Sequence, residues 1–174
     1  ENGFRNLTSN VEINSLADFK GLKIRTMENA MHMAAWRTVG ADPTPMAFTE
    51  LYTSLQQNVV DGQENPYANI VLNGFYDVQK YFYTTRHVYT PMLIVFSLDV
   101  WNTLSAEQQA AILKAGTESG VYEREVNRSL NGQYAELREE LRVNMTSVAP
   151  QFESIIGADV LGAYQEAIDA YLNK

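Results

Sequence analysis

Cysteine is absent, so the chain forms no disulfide and performs no thiol chemistry. That fits a bacterial cytoplasm and a bacterial periplasm equally. Histidine occurs only twice, as His32 and His87, and no histidine or carboxylate stands at metal-ligand spacing on a shared helix face. No apolar run approaches the length of a membrane span; the longest, Pro91 to Phe96, reads as a buried strand. Basic clusters are missing too. With 13 basic against 21 acidic residues the net charge is −8, which argues against nucleic acid and against an anionic membrane surface. There is no G-x-S-x-G elbow and no glycine-rich phosphate loop after a strand, so catalysis lacks a nucleophile, a base and a cofactor motif. No cofactor and no metal are expected. A hydrolase or lyase built on Glu64 and His87 needs those groups within hydrogen-bond reach, and nothing in the sequence brings them together.

What is present suffices for one domain with a real core: 174 residues, 45% of them apolar. The opening ENGFRNLTSN has neither an initiator Met nor a signal peptide and reads as the middle of a structure, a fragment or a processed product. GLKIRTM (Gly21–Met27) alternates and predicts a strand. Asn29 is placed to cap a helix over AMHMAAWRTV that stops at Gly40. DPTPMAF is a second strand, and Thr49 is placed to cap a helix over ELYTSLQQ. The β-α-β-α order predicts an α/β layer with a parallel sheet. A further helix is expected over 66–74, and one or two strands over 81–97 with Pro91 at a bend or edge. From Ser105 to Arg142 helical periodicity continues without a proline. Ser105 and Gln108 form a capping box, and the length is about 57 Å. Gly116, Gly120 and Gly132 are its expected bend sites. VNMTSV predicts a late strand, and ADVLGAYQEAIDAYLNK an amphipathic closing helix.

Three places carry possible chemistry. DGQENP (Asp61–Pro66) begins on a turn signal, and Pro66 suits the first position of a helix, so Asn65 is a natural N-cap. A cap uses only the side-chain oxygen, which leaves the amide NH₂ to donate elsewhere. Arg25 lies near the carboxyl end of its strand, where open α/β sheets gather ligands, and a guanidinium matches a carboxylate with two parallel hydrogen bonds. Two readings stand for it: a ligand contact, or an edge residue paired with Glu28 or Glu50. Phe48 precedes Thr49 and has no apolar staple partner at Thr53; it is a pocket-lining candidate beside ordinary core packing.

TPMAFTELYTSLQQNVVDGQENP (Thr44–Pro66), preceded by DFKGLKIRTMEN, resembles the solute receptors of tripartite ATP-independent periplasmic (TRAP) transporters, and the similarity extends over nearly the whole chain. The resemblance implies an extracytoplasmic, periplasmic receptor with two α/β lobes around a cleft, each periplasmic-binding-protein-like with a mixed or parallel sheet, and a long bridging helix crossing both. Such a receptor captures an organic acid and delivers it to membrane permease subunits, with no enzymatic activity, no membrane insertion and no nucleic acid. It implies that Arg25 is the main carboxylate-binding arginine, Arg5 a second ligand-facing arginine, Asn65 the asparagine that orients the carboxylate, and Phe48 a pocket aromatic. It also implies that most of the first lobe is absent. The expected organisation is a segment entering from that lobe (1–20), a second α/β lobe with the binding residues (21–85), an inter-lobe crossover (86–104), a long bridging helix (105–142), and a C-terminal strand and helices (143–174). Glu28 suits an anion poorly unless the ligand offers hydroxyls, which favours a small dicarboxylate or a sugar acid over sialic acid. The alternatives are a sialic-acid-type receptor and, from another class, a helical module that dimerises through the Ser105–Arg142 stripe.

Overall fold

A computed structural model describes residues 1–141. The late strand and closing helix expected after 142 lie outside the described residues. Five strands form one mixed sheet in the order β3-β2-β4-β1-β5. They are β1 (Gly3–Ser9), β2 (Lys23–Thr26), β3 (Asp42–Pro45), β4 (Gly62–Pro66) and β5 (Tyr81–Thr90). β3, β2 and β4 run parallel, β1 is antiparallel to β4, and β5 is antiparallel to β1. The helices are α1 (Ala30–Thr38), α2 (Leu51–Gln56), α3 (Tyr67–Leu72), α4 (Leu98–Trp101) and α5 (Ala106–Leu141).

Two apolar clusters cover the two faces of the sheet. Leu7, Ile24 and Tyr83 pack with Phe19 and with Trp36 of α1, while Leu51 and Leu55 of α2 pack with Val60, Ile70, Phe75 and Phe82. Phe82 and Tyr83 are successive on β5 and therefore point to opposite clusters. Gly62 permits β4 to press against β1: a Cβ there would lie 2.3 Å from the Thr8 carbonyl oxygen.

Several of the expected local elements are present. β2 and β3 form where alternation and the prolines place them. Asn29 caps α1 by accepting from the backbone N–H groups of Met31 and His32. Ser105 and Gln108 make their reciprocal capping bonds, and α5 runs unbroken through all three glycines. Three expectations are corrected. Thr49 caps nothing: a single 3₁₀ turn over Phe48–Glu50 leads into α2 with no side-chain cap. Asn65 is not an N-cap, because the DGQENP block is not a turn before a helix. Gly62–Pro66 is a fully buried strand at the centre of the sheet, and Pro66 itself occupies the cap position of α3. Pro91 to Phe96 is not a buried strand. β5 ends at Thr90, and Leu93 and Val95 are 82% and 83% exposed. Apolar side chains mark strand propensity, but a strand needs a neighbouring ladder, and this stretch pairs with none of the described strands.

Candidate functional site

Strand direction brings distant residues to one edge of the sheet. β2 and β4 are parallel, with Arg25 beside Gln63, so Arg25 and Asn65 both sit near the carboxyl ends of their strands. β1 runs the other way and sets Arg5 opposite Pro66, at the same edge. β5 reverses again and brings Val88 beside Arg5. Between Tyr83 and Val88 the β5 register slips past β1, and Arg86 takes φ +45°, a conformation uncommon for a side-chain-bearing residue. That bulge turns His87 inward.

Glu64 is the buried hub on one face. Arg5 donates to its carboxylate from Nε (2.5 Å) and Nη2 (2.9 Å), and His87 Nε2 lies 3.0 Å from Oε2. Thr85 Oγ1 meets His87 Nδ1 at 2.6 Å, and Trp36 packs edge-on against the imidazole. Burial alone would raise the Glu64 pKa, but the His87 hydrogen bond and the Arg5 charge outweigh it and hold the carboxyl at about 2. Glu64 and His87 are thus brought together by the β5 bulge, which no local pattern in the sequence announces. A usable signal existed all the same. A glutamate inside a central strand must be paired, and Arg5 and His87 lie on the strands that flank it.

On the other face Gln63 donates to Thr8 Oγ1 (2.9 Å), which donates to Gln79 Oε1 (2.9 Å). Asn65 Nδ2 donates to Gln63 Oε1 (2.6 Å), and Asn65 Oδ1 accepts from Arg5 Nη2 and from Asn69 Nδ2, both at 3.1 Å. The amide expected to be half unused has partners at both ends, with one of its two N–H groups remaining.

Arg25 pairs with neither Glu28 nor Glu50. Its Nε and Nη2 donate to the Met46 carbonyl oxygen at 3.0 and 2.6 Å, and its guanidinium carbon lies 5.8 Å from the centre of the Phe48 ring. Nη1 is buried without a hydrogen-bond partner. Burial lowers the Arg25 pKa and the Glu64 charge opposes that; an arginine keeps its proton regardless. Phe48 is half exposed and packs edge-on against Phe75 at 5.7 Å, so one part of the ring joins the core and the rest borders Arg25. The edge therefore presents a desolvated cation with an unused donor, an amide held in orientation, and an aromatic wall. Among the described residues no cluster of three or more metal-ligating side chains occurs.

Residues 1–169 match a protein family described as bacterial extracellular solute-binding protein, family 7. The chain is 41% identical to the 2,3-diketo-L-gulonate-binding periplasmic protein of Escherichia coli K12, over 72% of this chain and 39% of that protein. It is 36% identical to the sialic acid-binding periplasmic protein of Vibrio cholerae, over 92% of this chain and 54% of that one. A TRAP periplasmic solute-binding protein of Roseobacter denitrificans, crystallised with L-galactonate, superposes with a TM-score of 0.81 at 38% identity, covering 97% of this chain and 54% of that chain. The chain thus spans about half the length, or less, of the proteins it matches.

Proposed function

Because this chain belongs to bacterial extracellular solute-binding protein family 7, we propose that it forms the carboxylate-gripping part of an extracytoplasmic receptor for a TRAP-type secondary transporter. The α/β fold with its mixed sheet agrees with the solved relatives, and relatives of this chain are named periplasmic. The solute is a small organic acid. Its carboxylate docks on Arg25, Asn65 orients it, Arg5 supports Asn65 from the Glu64 side, and Phe48 walls the pocket. The observation that carries this reading is the buried Arg25 Nη1, a charged donor without a partner beside a half-exposed aromatic. Leaving such a group unsatisfied is costly, and a carboxylate would satisfy it.

In this reading residues 21–85 hold the binding groups, 86–104 cross to a second lobe, and 105–142 bridge the two. Closure of the lobes excludes water and strengthens the ion pair. The receptor hands its solute to membrane permease subunits and does no chemistry on it. The Thr85–His87–Glu64 chain has the hydrogen-bonding order of a catalytic triad, but all three groups are buried and Glu64 is committed to Arg5, which favours a structural network.

Calorimetry on the protein that carries this chain tests the proposal. Arg25→Ala should abolish organic-acid binding, a loss of about 2–5 kcal/mol or more. Arg25→Lys should leave it heavily weakened, because an ammonium cannot hold the Met46 carbonyl and a carboxylate in the same planar fork. Near-native affinity of the alanine variant removes Arg25 from the site.

A further inference from the structure

Asn6 is fully buried on β1, between Arg5 and Leu7. On one side its Cα partner is Asn65 of β4. On the other side lies the β5 bulge. From Arg5 to Leu7 β1 advances two residues, while β5 covers five from Val88 back to Tyr83, so three residues of β5 have no counterpart on β1. The Asn6 carboxamide fills that gap. Its Oδ1 accepts from the Arg86 backbone N–H at 3.3 Å, and its Nδ2 donates to the Phe4 carbonyl oxygen at 3.2 Å.

The chemistry of the gap selects a carboxamide. A backbone N–H only donates and a backbone carbonyl only accepts, so the side chain between them must offer an acceptor at one corner and a donor at the other. Aspartate would set a second acceptor against the Phe4 carbonyl, and leucine would offer neither group. The bond also offsets a cost, because Arg86 holds φ +45°, which strains a side-chain-bearing residue. Thr85 and His87 flank Arg86 in the bulge, and Thr85 Oγ1 meets His87 Nδ1 at 2.6 Å. His87 Nε2 lies 3.0 Å from the Glu64 carboxylate, Glu64 holds Arg5, and Arg5 Nη2 donates to Asn65 Oδ1 at 3.1 Å. An unbroken run of hydrogen bonds therefore leads from the bulge to the amide at the sheet edge.

We propose that Asn6 is a positioning residue for the solute site. Its carboxamide holds the β5 bulge in the shape that seats His87 on Glu64, and through Glu64 and Arg5 it fixes the Asn65 amide. The effect on solute binding rests on the receptor reading; the hold of Asn6 on His87 does not.

The test compares wild type, Asn6→Leu and the double variant Asn6→Leu/Arg86→Gly in the protein that carries this chain. One readout is the His87 Nε2–H signal in a proton–nitrogen NMR spectrum, assigned by its loss in His87→Gln. The other is calorimetric affinity for whichever of L-galactonate, L-gulonate, D-glucuronate and succinate binds wild type most tightly. Held on a buried carboxylate, the N–H should exchange slowly with solvent in wild type. Asn6→Leu should speed that exchange about tenfold or more and weaken solute binding by about tenfold. Arg86→Gly should restore the slow N–H in the Asn6→Leu background and bring affinity back to within about threefold, because glycine takes positive φ without strain and the bulge then forms unaided. A mere packing defect at Asn6 would not be rescued from another strand. If Asn6→Leu alone does not fold, the double variant should fold and show the N–H, and its failure to do so overturns the proposal. An unchanged N–H in a folded Asn6→Leu overturns it as well. An N–H lost with affinity unchanged overturns the role in the site and leaves the receptor reading standing. If no acid of the panel binds wild type, the receptor reading fails and the solute half of the proposal with it, while the N–H still decides whether Asn6 seats His87.

Discussion

Glu64 stands in the middle of a sheet, where an isolated carboxylate would force the chain either to protonate it or to unfold. It remains charged because Arg5 and His87 reach it from neighbouring strands. Its folded pKa of about 2 lies below the ordinary 4.5, so the linkage has a definite sign. The contribution is fully present above pH 4.5 and is lost as pH falls from there toward 2. The size is about 3 kcal/mol. Urea unfolding followed by circular dichroism between pH 7 and pH 3 should show stability falling in that window. Glu64→Gln should cost about 3–5 kcal/mol at pH 7, by leaving Arg5 buried and unpaired, and should flatten the acid slope. An unchanged slope in the variant would place the acid sensitivity elsewhere. The sequence displayed Arg5, Glu64 and His87 in plain view but not their meeting, because the meeting depends on a β5 bulge with an unusual Arg86 conformation.

At the scale of elements, two kinds of glycine differ in sign. Gly62 lies where β4 presses on β1, and the obstructing atom is a backbone oxygen that cannot step aside. Gly62→Ala should destabilise the chain by about 2–4 kcal/mol or prevent folding, as read by its urea midpoint. Gly116 and Gly132 lie in α5 with open space where a Cβ would go. Alanine there should stabilise by about 0.5–1 kcal/mol per site. Elements signalled by local chemistry were legible in advance: α1 by its asparagine cap, α5 by its capping box and periodicity, β2 by alternation. β4 was not. Its polar residues resemble a loop until their partners on β1 and β5 are known, and a strand inside a sheet obeys tertiary pairing before it obeys alternation.

At the scale of the whole molecule, residues 92–96 carry strand-forming side chains that the described fold leaves exposed. Leu93→Ser with Val95→Ser should change the unfolding free energy of this chain by no more than about 0.5 kcal/mol, since neither side chain is buried in it. A loss of several kcal/mol in a urea titration would show that the stretch packs against something after all. By itself the sequence determined the α/β class and most local elements, because caps and alternation act over a few residues, and strand-end position made Arg25 a candidate for the site. Tertiary structure decided which polar groups are neutralised and which remain unsatisfied. Those are questions of distance across strands that lie up to eighty residues apart in the chain, and no local pattern encodes them.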